Sequence, residues 1–430
     1  MKTDQIQKVH KDWYKLDLSA IVYPTLQRRD FSSVYRLSVL LKEDIDPEIL
    51  QRAVNLTMPR FPTYKAAIRK GVFWRYLEPN DRPGPFVQED VKNPCQPMHF
   101  KGNNRYLVRI YYYRNRIALE AHHSLGDGTG GMCVLQTLTA TYLRLKGHSE
   151  IENGGFVLDI LGIPDPGELE DAYMKYANAK VCPPRPGEKT YRVRGTKEPF
   201  YTLNIIDGIM SVSEVMRVAK SYNATITEYL NSVLLYALMQ KQESEWHLKL
   251  RPVKIAMPVN LRRFFPSRTL RNFITMIYPG IDPRLGEYTF EEIVTQVHNY
   301  MRYYLNEKLL RGDITTNAET QRNPFIRIVP LFIKDLVVRQ FYTKIQDKNS
   351  SAGLTNMGAL KVPETMKPYI EHFDIYMGQP FSTRTNCAIA SFEDILTINF
   401  ASSIAETDVE RLFFRKLVQD GIHVKIESNR

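Results

Sequence analysis

The heptapeptide His122-His123-Ser124-Leu125-Gly126-Asp127-Gly128 decides how the rest of this chain is read. It sets a histidine pair, an aspartate and a glycine at fixed spacing. A neutral imidazole is the one side chain whose ordinary pKa lets it take a proton near neutrality. The aspartate four residues after His123 holds the following turn, and the glycine bends the backbone where a side chain would clash. The combination suits base-assisted attack on an activated acyl group.

Working outward, residues 105–113 (RYLVRIYYY) and 116–123 (RIALEAHH) read as two strands joined near Arg114-Asn115. In the second strand Ile117, Leu119, Ala121 and His123 share one face; Ala118, Glu120 and His122 share the other. His123 therefore falls on the apolar, inward side. After the turn, Met132, Leu135, Leu138, Tyr142 and Leu145 keep helical spacing, with Gly147 as C-cap. The heptapeptide thus closes a strand and precedes a helix, where loops between rigid elements carry catalytic groups.

Other chemistries fit less well. Gly126-x-Gly128-x-x-Gly131 is spaced like a dinucleotide fingerprint, but Asp127 would face the pyrophosphate and the preceding strand belongs to a hairpin. The acidic residue needed about twenty positions later is missing, because residues 147–155 are polar loop. Adjacent histidines on a strand point to opposite faces and do not easily ligate one metal ion. There is no Gly-x-Ser-x-Gly elbow for a serine hydrolase. An isolated inward histidine reads as core, yet four specified residues together at a strand end favour chemistry over packing.

The 430-residue length suggests two domains. Apolar residues at 43% and charged residues at 24% are ordinary for a folded soluble protein. Formal net charge is +11, with no basic block or basic helix carrying interleaved aromatics, so a nucleic-acid face is not expected. The diffuse positive balance suits a solvated surface, a nucleotide-bearing thioester or an acidic carrier protein. Cys95, Cys133, Cys182 and Cys387 are scattered without Cys-x-x-Cys, which argues against zinc or a redox pair. The polar N-terminus and the lack of a long apolar run suggest a cytoplasmic chain without a membrane span. The glycosylation-type triplets at Asn55, Asn223 and Asn349 then read as accidental.

Further elements are expected as follows. Residues 31–42 form a strand, and Asp46-Pro47 opens a helix to about Met58. Gly71 to Leu77 forms a strand. Residues 178–199, rich in proline and charge, form an interdomain linker. Tyr201 to Ile206 forms a strand, followed by two helices with boxes Ser211-x-x-Glu214 and Thr225-x-x-Glu228. Residues 253–259 form a buried strand and 289–310 one long helix. Asp394 to Phe400 forms the last strand, before a helix from about Glu406. Phe325 to Lys344 is apolar with Arg327, Lys334, Arg339 and Lys344 interspersed. Peripheral contact with a membrane surface fits it, but a partly buried helix is the expected reading.

At the heptapeptide the chain resembles the acyltransferase superfamily with a His-His-x-x-x-Asp-Gly motif. That superfamily includes chloramphenicol acetyltransferase, the plant BAHD enzymes, alcohol acetyltransferases and the condensation domains of peptide synthetases. The nearest likeness is to the alcohol acetyltransferase-like branch. Met58-Pro59-Arg60-Phe61-Pro62, Pro258-Val259-Asn260-Leu261-Arg262 and Thr355-Asn356-Met357-Gly358 resemble further landmarks in the expected order. Asp374-Ile375-Tyr376-Met377-Gly378 keeps only the aspartate and last glycine of the plant Asp-Phe-Gly-Trp-Gly stretch, and the oxyanion-stabilising group stays unidentified.

The resemblance implies a mixed α/β (α+β) fold of two chloramphenicol-acetyltransferase-like halves meeting at a central channel: 1–177 with the motif, linker 178–199, and 200–430. It implies transfer of an acyl group, acetyl by preference, from acyl-CoA to a small-molecule alcohol or amine, with no bound cofactor, no metal and no covalent acyl-enzyme. In this reading His123 is the general base and His122 supports the strand. Gly128 gives backbone freedom. Asp127 is structural and paired with an arginine, Arg60 first and Arg262 second. Asn356 is a channel donor or a turn-former. Two alternatives stay open: condensation with a thioester held on an acyl carrier protein, and a non-catalytic binding module.

Overall fold

The computed structural model describes residues 13–27, 31–91, 93–178, 188–199, 202–245, 247–344, 349–378 and 383–430. Val34–Leu41 (VYRLSVLL) is buried at all but one position. Such a run is stable only inside a sheet covered on both faces. It lies between Arg116–His122 and Ile370–Met377, antiparallel to both. Val108–Tyr113 and then Val87–Glu89 complete this five-stranded sheet. The motif helix Gly128–Leu145 covers it, with Met132, Val134, Leu135 and Leu138 in the first core.

The second sheet has eight strands. Ala352–Ala359 at its centre is parallel to both Val253–Asn260 and Thr385–Phe392. Ile395–Ser402, Asn204–Ser211 and Lys425–Ser428 follow on one side. Helices Val212–Ser221, Ile226–Ser244, Phe290–Tyr304 and Asp408–Gln419 contribute to a second core. Helix starts follow their caps. Asp46 accepts from the Glu48 and Ile49 amides ahead of Pro47–Thr57. Thr225 and Glu228 form a reciprocal capping box.

The two sheets are stitched by Ile370–Met377. This strand comes from the C-terminal half of the chain but pairs in the first sheet. Its Ile375 amide donates to Asn399 Oδ1 (3.0 Å), and its Phe373 carbonyl accepts from Thr397 Oγ1 (2.7 Å), both on the second sheet. Residues 179–187 of the expected linker lie outside the described residues. Beyond them, Tyr191 and Val193 are buried in the second core.

Four sequence expectations need correction. Gly71 to Leu77 is not one strand: Ala66–Lys70 and Arg75–Pro79 pair across a turn closed by Gly71 N–H to the Trp74 carbonyl (2.8 Å). The helix expected over 289–310 breaks at Leu305, where Asn306 caps a new helix, Glu307–Arg322. The strand at 394–400 runs as Ile395–Ser402 and is not the last, since Lys425–Ser428 extends the sheet edge. The segment 325–344 forms Pro324–Ile328 and Leu331–Lys344, and its large apolar side chains from Phe325 to Val337 are largely exposed instead of partly buried. Among the described residues no helix is long and apolar enough to cross a membrane.

Candidate active site

Strand Arg116–His122 ends one residue before His123, whose amide still donates to the Ser33 carbonyl of the neighbouring strand's approach (2.8 Å). The chain then turns, with the Leu125 amide donating to the His122 carbonyl (3.0 Å). His122 is sealed from solvent. Its Nδ1 accepts from the Ser124 amide (3.2 Å), and its Nε2 lies 3.1 Å from Gln27 Oε1. An accepting Nδ1 leaves the proton on Nε2, the tautomer that suits Gln27. Burial, together with the neighbouring His123, pulls the His122 pKa down to about 3. This ring accepts the turn's Ser124 amide and is fixed in the neutral form.

His123 is half-buried, whereas its neighbours His122 and Ser124 are closed off. Its ring stacks on Tyr23 (centroids 4.8 Å apart, 21° between planes) and leans on Tyr35 (4.6 Å, 50°). Burial pulls its pKa down to about 4, against the opposing effects of the Asp127 charge, the Asn272 side chain and the Gly126 backbone. The imidazole is therefore unprotonated at physiological pH. Nδ1 of His123 and Oδ1 of Asn272 are both buried without a hydrogen bond among the described residues. Asn272 is pinned from its other end: Nδ2 donates to the His123 carbonyl (2.9 Å) and to the buried carboxylate of Asp17 (3.0 Å).

Asp127 lies on the first half's side of the joint and is saturated with donors. Oδ1 caps the motif helix by accepting from Thr129 N (3.1 Å) and Gly130 N (3.2 Å). Oδ2 accepts from Phe273 N (2.9 Å). Arg262 from the second half clamps both oxygens, Nη1 to Oδ2 at 2.8 Å and Nη2 to Oδ1 at 3.3 Å. The arginine's other donors reach Thr269 O, Arg271 O and Asn260 Oδ1. This fork-to-fork pair is nearly dry, the side chains being 11% and 3% exposed.

Arg60, the first-choice partner of Asp127, pairs elsewhere. It makes a bidentate contact with Glu168 (2.7 and 2.8 Å) and donates to the Asp159 carbonyl. The short 3-10 helix Met58–Arg60 aims it at the 3-10 helix Pro166–Leu169, whose acid claims it. Asn356 is a turn-former: Oδ1 accepts from Gly358 N (2.7 Å) and Nδ2 donates to Thr227 (2.9 Å). It does so where strand Ala352–Ala359 loses register and Gly358 takes φ +72°. Gly128 keeps an ordinary φ, so freedom is not its use. A Cβ there would meet Met357 Sδ at 3.0 Å. Gly126 and Gly130 are tighter, because the Leu270 carbonyl occupies the space of a side chain at both.

Sequence reading missed Tyr23, Tyr35 and Asn272 around the ring. No local pattern singles out the two tyrosines among the chain's 25. The stretch Thr269-Leu270-Arg271-Asn272-Phe273 carries a hint, a polar Arg-Asn pair between apolar residues, but its meaning depends on contacts 149 residues away in sequence. Among the described residues no group of three or more His, Cys, Asp or Glu side chains could hold a metal ion.

Neither a family model nor a curated protein matches this sequence. Solved structures do. TRI101 of Fusarium sporotrichioides, complexed with coenzyme A and T-2, is 12% identical over 96% of this chain and 100% of its own, with a TM-score of 0.63. The trichothecene 15-O-acetyltransferase TRI3 of the same organism is 13% identical over 95% and 94%, at 0.58. The starter condensation domain of rhizomide synthetase with C8-CoA is 12% identical over 98% and 100%, at 0.59. The chain has the fold that these acetyltransferases and condensation domains share, the two-subdomain CoA-dependent acyltransferase fold.

Proposed function

We propose that this protein transfers an acyl group, acetyl by preference, from a CoA thioester to a small alcohol or amine, with His123 as general base. One observation carries the reading: the half-buried, neutral imidazole between Tyr23 and Tyr35, at the joint of a fold whose solved examples include complexes with CoA. In the reaction Nε2 of His123 takes the proton of the acceptor hydroxyl or amine as that atom attacks the thioester carbonyl carbon. The carbonyl pair shifts to oxygen and returns, the carbon–sulfur bond breaks, and the thiolate leaves, recovering the proton from the imidazolium. Atoms and charge balance without an acyl-enzyme, so both substrates bind together. Asn272 acts as a positioning residue that selects the tautomer with Nε2 free. Asp127, held by Arg262, fixes the turn and takes no proton.

A base with a low pKa has less driving force for proton transfer but stays unprotonated further into acid. The acid limb of the pH–rate profile is expected near 4, well below the ordinary histidine value of 6.5. His123→Ala should lower thiol release from acyl-CoA in the presence of acceptor by about 10²–10⁴-fold while the denaturant midpoint hardly moves. Full turnover in that variant would end the base assignment. The fold is also that of condensation domains, so the donor test compares acyl-CoA with an acyl-pantetheinyl carrier protein. A binding module would hold ligand and support neither reaction.

A further inference from the structure

The least ordinary surface of the molecule is apolar and open. In Pro324–Ile328 and Leu331–Lys344, Phe325 is 77% exposed and Phe332 73%, with Ile328, Leu336 and Val337 also bare. Beside them stands the hairpin tip, where Val72 is 71% and Trp74 51% exposed. The two pieces form one face, because the Leu331 amide donates to the Val72 carbonyl (2.8 Å) and Lys334 Nζ to the Phe73 carbonyl (2.9 Å). Soluble proteins rarely leave so much contiguous apolar surface without a use.

We infer that this face docks on an anionic lipid bilayer. Charge complementarity selects that occupant. Between 324 and 340 the only acid is Asp335, and Arg75 neutralises it. Arg327, Lys334 and, on the hairpin, Lys70 have no carboxylate partner among the described residues and sit among the exposed apolar groups. A bilayer accepts large apolar side chains in any register, welcomes tryptophan at its interface and takes cations at its headgroups. A second copy of this chain would set like charges against each other, and an acidic carrier protein would satisfy the charges alone.

The face also lies one short helix from the imidazole. Asp335 accepts from Thr25 Oγ1 (2.8 Å), Arg339 Nε donates to the Thr25 carbonyl (2.9 Å), and Thr25 shares the helix Tyr23–Leu26 with the tyrosine stacked on His123. Docking would therefore bring that ring to the lipid interface, where an amphiphilic acceptor or acyl donor dissolves. This consequence rests on the proposed acyl transfer; the docking does not.

Sedimentation with vesicles tests docking without any turnover. The full chain should pellet with phosphatidylcholine–phosphatidylserine vesicles and less with phosphatidylcholine alone. Phe325→Ser/Phe332→Ser should weaken pelleting by about tenfold or more. Lys70→Gln/Arg327→Gln should weaken it several-fold and reduce its salt sensitivity. Both double variants should keep wild-type rates on a soluble acyl-CoA and alcohol pair. Wild-type protein that stays in the supernatant, or variants that pellet as it does, would overturn the inference. A dimer in solution that the phenylalanine variant splits, or capture of a carrier protein, either one without pelleting, would also overturn it and assign the face to that occupant.

Discussion

Asp127 and Asp374 are both buried aspartates at the joint between the sheets, and they manage their charge in opposite ways. Asp127 reaches across to Arg262 and accepts three backbone amides besides. Asp374 reaches across to a second carboxyl. Asn399 Nδ2 bridges Asp374 Oδ1 (3.1 Å) and Asp207 Oδ1 (2.8 Å), while the Tyr376 hydroxyl donates to Asp207 Oδ2 (2.9 Å). His372 stands 3.7 Å from Asp374, too far for a close ion pair. Burial first, and then the mutual repulsion of the two carboxyls, pushes Asp207 up to about 8, and burial raises Asp374 as well. The pair keeps a proton at neutral pH. The joint is thus tied on one side by a fixed ion pair and on the other by a proton that pH can remove.

The largest effect is expected on the ion-pair side. Arg262→Ala leaves Asp127 nearly dry and without a countercharge, and should cost about 3–5 kcal/mol of unfolding free energy at neutral pH. Asp127→Asn in the same background should recover part of that loss, since an amide needs no cation. Urea midpoints read both. A single-variant loss below about 1 kcal/mol would show that the helix cap alone holds Asp127, and the contrast with Asp374 would fail.

The carboxyl side should show itself in pH. A raised aspartate pKa means that the folded state binds the extra proton, so stability falls as pH rises from the unfolded value near 3.8 towards 8. The two motif histidines work the other way. Their pKa values are lowered, so the unfolded state binds the extra protons, and stability rises with pH up to the ordinary value of 6.5. Below 6.5 the trends oppose each other. Between pH 6.5 and 8 the histidines no longer contribute, and the carboxyl pair alone should lower wild-type stability by about 1–2 kcal/mol, in the same direction as the buried, upward-shifted Asp17 and Glu410. Asp207→Asn should flatten that drop, because its amide can still serve Asn399 and Tyr376. A drop that persists unchanged would place the proton elsewhere.

These two aspartates also mark what a sequence can reveal. The strand–turn–helix around Asp127 was legible because it is local: alternation in 116–123, a capping aspartate and helical spacing to Leu145 each act within a few residues. The choice between Arg60 and Arg262 was not legible. It turns on whether Glu168 or Asp127 faces each guanidinium, and Arg60 met an acid 108 residues away. Asp374 could be picked out by resemblance, but not its partner, since the strand that carries it leaves its own half to join the first sheet. The exposure of the apolar side chains from Phe325 to Val337 was missed for a related reason. An apolar helix has no periodic signal of its own that says whether anything covers it.

The smallest effect concerns Gly128, and it separates steric fixing from conformational freedom on the Asp127 side. Gly128 is the first residue of the motif helix and has an ordinary helical-range φ, so alanine suits its backbone. The only obstacle is Met357 Sδ, 3.0 Å from the new Cβ, and a thioether on three rotatable bonds moves cheaply. Alanine's better helix propensity offsets part of the crowding, by up to about 1 kcal/mol in a helix interior and less at its first turn. Gly128→Ala should therefore change stability by less than about 1 kcal/mol. A loss of several kcal/mol would mean that the turn after Asp127 needs a glycine for its backbone, and that the joint is strained where Arg262 grips it and not merely packed.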